Sequence, residues 1–261
     1  MVQLLGKVII KSTIEVKTGM RIGGPTEGLK IGGIDTPVIK DAYGKPYIPG
    51  SSLKGKLRSL TERKEGKSLD PKSGIHICQS VDEYKQCEVC KIYGVMGITS
   101  NSIPLLTRLI IRDTYLDEGS ITEEMKENLE FPWTEIKTEI NIDRRTGTVS
   151  RVGGLRNPER VPAGARFKDC EMIFNLYEQE DKDLLKKVFE SMLWLEDDYL
   201  GGMGSRGYGK VEFKDIEIYY NKASDYETGQ TELKPERKIN GNWTTPAQIV
   251  EHFEEIKAKL Q

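Results

Sequence analysis

With three long irregular segments set aside, this 261-residue chain reads strand, helix, strand, strand, helix, strand. That order predicts an α+β fold of the ferredoxin-like or RRM-like arrangement. Alternating apolar runs near both ends of that core and two amphipathic helices carry the prediction. The segments set aside cover about 17–37, 65–103 and 133–168. Loops of that length inside a compact domain are usually functional or disordered.

Each element has a local reason. Residues 3–16 alternate well enough for a strand, and Gly19, Gly23, Gly24, Gly28, Gly32 and Gly33 then interrupt any period. Residues 38–48 read as a hairpin around Ala42-Tyr43-Gly44. Pro49-Gly50-Ser51-Ser52 offers a cap for a helix whose apolar face is Leu53, Leu57 and Leu60. Residues 105–116 form a β-rich run centred on Leu109, Ile110 and Ile111, and 121–129 suit a short acidic helix. Residues 133–168 form a polar arm that reads as a protruding hairpin. A strand over 168–178 follows, then a helix over 181–197 with a broad apolar face from Leu184 to Leu195. Val211, Phe213, Ile216 and Ile218 mark the last strand, and 246–260 read as one amphipathic helix after a polar linker. The division expected is an RRM-like unit over 1–220, carrying insertions at 65–103 and 133–168, and a C-terminal linker and helix over 221–261.

Composition narrows the function. Apolar residues make up 37% and charged residues 31%, and no run approaches 18 apolar residues, so no membrane-spanning helix is expected. The N-terminus lacks the pattern of a secretory signal, which makes the cytoplasm the expected location. The net charge of −2 argues against a uniformly basic nucleic-acid binder. The charge is uneven, however: residues 143–168 hold seven basic residues against two acidic ones, a local +5. Such an arm can hold a polyanion on a neutral body, because screening acts over about 10 Å. A solvated arginine-rich loop is the plainer alternative.

Two further constellations carry chemistry. Residues 200–210 hold five glycines with Arg206 and Lys210. Bared peptide N–H groups and two cations suit a phosphate backbone, although glycine-rich turns also simply end helices. His76-Ile77-Cys78 followed by Cys87-Glu88-Val89-Cys90 supplies four ligands of the kinds zinc takes. With His76, Cys78, Cys87 and Cys90 all engaged, such a site is structural and staples an insertion too small for its own core. A disulfide set or a redox CxxC is the alternative reading. Cys170 reads as a buried apolar residue, and His252 has no candidate ligand near it in sequence. On the first helix Lys54 and Arg58 lie four apart, on one face, suited to gripping one anion.

Four stretches in order make the pattern specific: Ile31-Gly32-Gly33-Ile34-Asp35-Thr36-Pro37, Ile48-Pro49-Gly50-Ser51-Ser52-Leu53-Lys54-Gly55-Lys56-Leu57-Arg58, Lys137-Thr138-Glu139-Ile140-Asn141-Ile142-Asp143-Arg144, and the glycine loop. The chain resembles the repeated backbone subunits of type III-A CRISPR effector complexes, members of the RAMP superfamily, over residues 1 to about 220. The C-terminal forty residues and the cysteine insertion lie outside the most typical pattern. The resemblance implies an RRM-like palm, a β-hairpin thumb, and a filament of copies along a guide RNA (crRNA), with other subunits of the complex as partners. It also implies cutting of target RNA at regular intervals, with the required aspartate mapping onto Asp35 and the guide-binding cations onto Lys54 and Arg58. Arg144, Arg145, Arg206 and Lys210 are the further RNA-binding candidates. Val149, Val152, Leu155 and Val161 are candidates for an apolar wedge between bases.

Cutting RNA needs an attacking hydroxyl, in-line geometry and a stabilised phosphate. Asp35 would accept a proton or hold a divalent ion such as magnesium. The plainer reading of Asp35 is a turn residue before Pro37. Three rivals stand beside the nuclease: a non-catalytic crRNA-binding backbone subunit, a guide-processing endoribonuclease, and a zinc-stapled protein adaptor.

Overall fold

Val8, Ile10, Ile14 and Val16 of β1 (Gly6–Val16) are fully buried, while Lys7, Lys11 and Glu15 on the other face are partly exposed, the period of two that a strand imposes. The structure, a computed structural model, describes residues 3–24, 36–95, 106–150 and 154–260. After β1 come β2 (Tyr47–Ile48), α1 (Gly50–Lys64), α2 (Val81–Gln86), α3 (Glu88–Tyr93), β3 (Leu109–Ile111), β4 (Thr114–Leu116) and α4 (Glu123–Asn128). Four short strands follow, β5 (Glu135–Ile136), β6 (Glu139–Ile140), β7 (Leu155–Arg156) and β8 (Glu159–Arg160). The chain then forms β9 (Arg166–Leu176), α5 (Asp181–Glu196), β10 (Val211–Lys222), α6 (Ala223–Glu227), α7 (Pro246–Glu251) and α8 (Phe253–Lys257).

The main sheet is antiparallel in the order β10-β1-β9-β4-β2, with β3 also on β9. The expected run over 105–116 is therefore two short strands. α1 packs on α5 and β3, and α5 packs on β9 and β10, so both long helices cover the sheet. Among the described residues no helix is long and apolar enough to cross a membrane.

The alternation of the last strand contains a slip of one residue, from Phe213 to Ile216. The register of β10 on β1 shifts between Lys11 and Thr13, and Asp215 takes a left-handed φ of 53° there. β9 does the same on the other side of β1: its register shifts between Ser12 and Ile14, and Asp169 has φ 55°. Each bulge adds one residue, so Phe167 and Cys170 on β9 are both buried, as are Phe213 and Ile216 on β10.

Two local expectations meet different answers. The N-terminus of α1 is capped from a distance: Gly50 donates its N–H to Asp113 Oδ1 at 2.8 Å, and no cap bond comes from the Pro49 position. The helix expected over 246–260 is interrupted at His252, whose ring stacks on Trp243 with centroids 4.4 Å apart and planes 3° apart. The C-terminal segment shares the main core, with Ile239, Ile249, Phe253, Ile256 and Leu260 buried in it. Ile239 and Asn240 also bond the backbone of Ile218 and cover part of the β10 edge.

Candidate metal centre and nucleic-acid interface

His76, Cys78, Cys87 and Cys90 come together in one buried group, with all four ligand atoms within 4.8 Å of one another. Cys87 caps α3 and accepts the N–H of Cys90, which folds the CxxC onto the first turn of the helix. His76 Nδ1 bonds the Ser68 carbonyl at 3.0 Å, leaving Nε2 3.6 Å from Cys78 Sγ and 3.4 Å from Cys87 Sγ. Tetrahedral zinc, with bonds of about 2.0–2.3 Å, sets its ligand atoms about 3.5–3.8 Å apart, so the group fits that ion. A carbonyl on the far ring nitrogen is the usual way a ligating histidine is oriented. Without a cation three adjacent thiols resist joint ionisation. The Cys90 thiol pulls Cys87 down to about 4, burial pushes Cys78 up to about 11, and donation to Cys87 drives Cys90 above its ordinary range. A divalent ion reverses that opposition by favouring all three thiolates.

Lys54 and Arg58 share a face of α1, as spacing requires, yet their surroundings differ. Arg58 donates Nε to Glu62 Oε1 at 2.7 Å, Nη1 to the Gly94 carbonyl at 3.0 Å and Nη2 to the His76 carbonyl at 2.6 Å. Its side chain is 11% exposed. Lys54 has no hydrogen-bond or ion-pair partner among the described residues. Burial, and then the neighbouring Arg58 charge, lower its pKa. An arriving phosphate would offset both effects, because its charge favours the protonated amine.

The glycine loop is tied to the segment that follows β1. Gly202 donates its N–H to the Arg21 carbonyl and Gly209 to that of Gly19. A Cβ at Gly201, which has φ 88°, would lie 2.2 Å from the Arg21 carbonyl oxygen, so this position accepts only glycine. Those amides thus close the fold, and the loop's two cations, Arg206, half exposed and 3.5 Å from Glu139, and Lys210, lie exposed. Lys210 uses its N–H on Thr18 Oγ1 and its carbonyl on Lys17 and Thr18.

Tyr208 of the loop packs against the arm, with Lys137 Nζ 4.6 Å and Arg160 Cζ 5.2 Å from its ring centre. Burial pushes its pKa up to about 12. The arm is a ladder: Glu135 faces Arg160, Ile136 Glu159, Glu139 Arg156, Ile140 Leu155 and Ile142 Val149. Arg144 and Arg145 lie exposed at its turn, Arg145 near Asp143. Ile140, Ile142, Val149 and Leu155 are more than half exposed. Val161, expected among such residues, is instead buried and paired with Met20. Val152 lies outside the described residues.

Asp35 also lies outside the described residues. The chain after it is anchored. Thr36 accepts at its carbonyl from Arg21 Nε at 3.4 Å and from Glu159 N at 3.2 Å. Glu159, fully buried, accepts from Val38 N at 2.9 Å and Thr134 Oγ1 at 2.6 Å. The association of Arg21, Glu159, Arg160 and Tyr208 has no motif in the sequence, because only the folded chain brings them together.

Known proteins match most of the chain. The RAMP superfamily profile matches residues 13–212. A protein of Methanocaldococcus jannaschii, called CRISPR system Cms endoribonuclease Csm3, is 48% identical over 236 residues, covering 90% of each chain. A protein of the same name from Methanothermobacter thermautotrophicus is 39% identical over 222 residues, covering 80% of this chain and 84% of that one. Among solved structures, a chain of a Csm3–Csm4 subcomplex in the type III-A CRISPR-Cas interference complex matches with TM-score 0.60 and 34% identity, covering 97% of this chain and 98% of that one.

Proposed function

The chain belongs to the RAMP superfamily, and from that premise and its own geometry we propose that it is a crRNA-binding backbone subunit of a type III-A CRISPR effector complex and an endoribonuclease that cuts complementary target RNA at regular intervals. One observation carries the reading: Arg21, Glu159 and Tyr208 join the segment after Asp35, the base of the arm and the glycine loop into one bonded and packed unit. The sheet order, with β10, β1, β9 and then the β3–β4 run as fourth, first, third and second, supports an RRM-like palm. The arm is the thumb, and residues 65–103 form a zinc-bearing insertion. Residues 1–220 form the RAMP unit, and 221–261 are its C-terminal extension.

In this reading Lys54, Arg144, Arg145, Arg206 and Lys210 meet phosphates without reading sequence, and base pairing with the guide supplies specificity. The exposed apolar residues of the thumb wedge a base step apart. Asp35 accepts a proton from the attacking hydroxyl. An aspartate of ordinary pKa near 4 is a weak base at pH 7, so the imposed nucleotide geometry carries much of the rate. A divalent cation such as magnesium would neutralise charge on the phosphate. Copies of the chain stack along the guide beside other subunits of the complex.

The test compares native chain with Asp35→Ala in the guide-loaded assembly, at equal guide occupancy, with magnesium. Native chain cuts at regular spacing and the variant binds without cutting. Equal cutting by both assigns the chemistry elsewhere, and binding without cutting by both favours the non-catalytic backbone subunit.

A further inference from the structure

We infer that Arg58 and Glu62 are positioning residues of the metal centre, gripping the His76 peptide from both ends, and that Arg58 therefore does not serve as a phosphate contact. The inference rests on the reading of His76, Cys78, Cys87 and Cys90 as a zinc site.

The geometry is a closed ring of bonds. Glu62 Oε1 accepts from the backbone N–H of His76 at 3.0 Å and from Arg58 Nε at 2.7 Å. Arg58 Nη2 donates to the carbonyl of the same His76 at 2.6 Å. A third bond, from Arg58 Nη1 to the Gly94 carbonyl, reaches the residue just past α3, the helix that carries Cys90. One guanidinium thus fixes both arms of the ligand set, the HxC arm through His76 and the CxxC arm through Gly94. Glu62 is 3% exposed and Arg58 11%. A buried carboxylate and guanidinium are tolerated when they are paired and their remaining groups are bonded, as here.

Zinc affinity depends on how much the ligands must be ordered on binding. The Ser68 carbonyl sets the ring of His76, and the Arg58–Glu62 pair sets its backbone. Partners of this kind affect metal affinity by about 10–100-fold when removed. The planar fork of arginine is essential to the ring of bonds, because a lysine ammonium cannot reach two divergent carbonyls and a carboxylate in one plane. Lys54 then stands as the cation on this face of α1 that remains for RNA.

The test measures zinc affinity by competition against a chromophoric chelator for native chain, Arg58→Lys and the isosteric Glu62→Gln. It also measures the salt dependence of binding to a single-stranded RNA oligonucleotide for native chain, Lys54→Ala and Arg58→Gln. Both zinc-arm variants are expected to bind zinc at least tenfold more weakly. Lys54→Ala is expected to lower the slope of log affinity against log salt by about 0.7, one phosphate contact, while Arg58→Gln leaves the slope at its native value. Native-like zinc affinity in Glu62→Gln and Arg58→Lys overturns the positioning role, and a slope loss of about 0.7 in Arg58→Gln makes Arg58 a phosphate contact. A native chain that binds no zinc removes the metal reading itself, an outcome distinct from a native chain whose zinc affinity the variants leave unchanged.

Discussion

Lys40 Nζ lies 2.6 Å from Glu159 Oε1, and the carboxylate of that pair has no solvent exposure. The lysine comes from the segment after Asp35 and the glutamate from the base of the arm, so the pair ties two separately encoded segments together. Removing one partner of a buried pair costs about 3–5 kcal/mol. Lys40 is 31% exposed, which puts Glu159→Ala near the low end. It is expected to unfold about 6–12 °C below native chain in a calorimeter. Native-like melting would mean that the segment is held by its backbone bonds alone.

Glu196 closes α5, where the helix carbonyls already place partial negative charge. Burial is the main cause of its raised pKa, and Glu212 and Asp197 add to it, although the Phe213 N–H bond opposes them. For an acid, a raised folded pKa means that the native state binds the proton more tightly than the unfolded state. Stability contributed by this group therefore falls as pH rises from its ordinary 4.5 through the folded value. Glu196→Gln keeps an acceptor for Phe213 and is expected to be more stable than native chain at pH 7. The gain shrinks to nothing below pH 4.5. Denaturant midpoints at the two pH values check the sign.

The metal centre gives a stoichiometric expectation. Purified chain holds one zinc, measured by mass spectrometry of the elements, and Cys90→Ser reduces this to near zero. Binding of a structural metal is also folding free energy, so a strong chelator lowers the melting temperature of native chain and leaves Cys90→Ser unchanged. Full zinc content in Cys90→Ser would exclude the assigned ligand set.

Two glycines of one loop separate steric from conformational cost. Gly207 and Gly209 have φ 83° and 78°, but a Cβ at Gly207 meets nothing within 4 Å, whereas one at Gly209 would lie 2.2 Å from the Leu200 carbonyl oxygen. Gly207→Ala should cost about 1–2 kcal/mol, the left-handed penalty alone. Gly209→Ala should cost clearly more, because the turn that docks the loop against Gly19 must open. Equal losses in urea unfolding would show that the loop can shift freely.

Features coded by neighbours in sequence were legible. The apolar face of α5 follows from the spacing of Leu184, Leu185, Val188, Phe189 and Met192, all buried. The metal group was legible because each ligand pair lies within a turn, leaving only one short loop to close. Features that need distant partners were not. The cap on α1 comes from Asp113, Glu159 binds Val38 across the fold, and Arg58 finds acceptors on His76 and Gly94. None of these has a local pattern, so spacing assigned Arg58 to an outside anion. The break at His252 escaped for a similar reason, since it depends on where Trp243 lies. The bulges did leave a trace, in the odd spacing between Phe213 and Ile216.

Those bulges bear on how the gene can change in length. Asp169 and Asp215 each supply one residue more than β1 has at that level. Deleting Asp215 alone reverses the inside and outside of one end of its strand, turning either Val211 and Phe213 or Ile216 and Ile218 toward water. Single-codon insertions and deletions should therefore be purged near residues 169 and 215 while accumulating in the arm. Substitutions at the same two aspartates, by asparagine or glycine, should pass freely, because what the strands conserve there is a residue count and a left-handed turn.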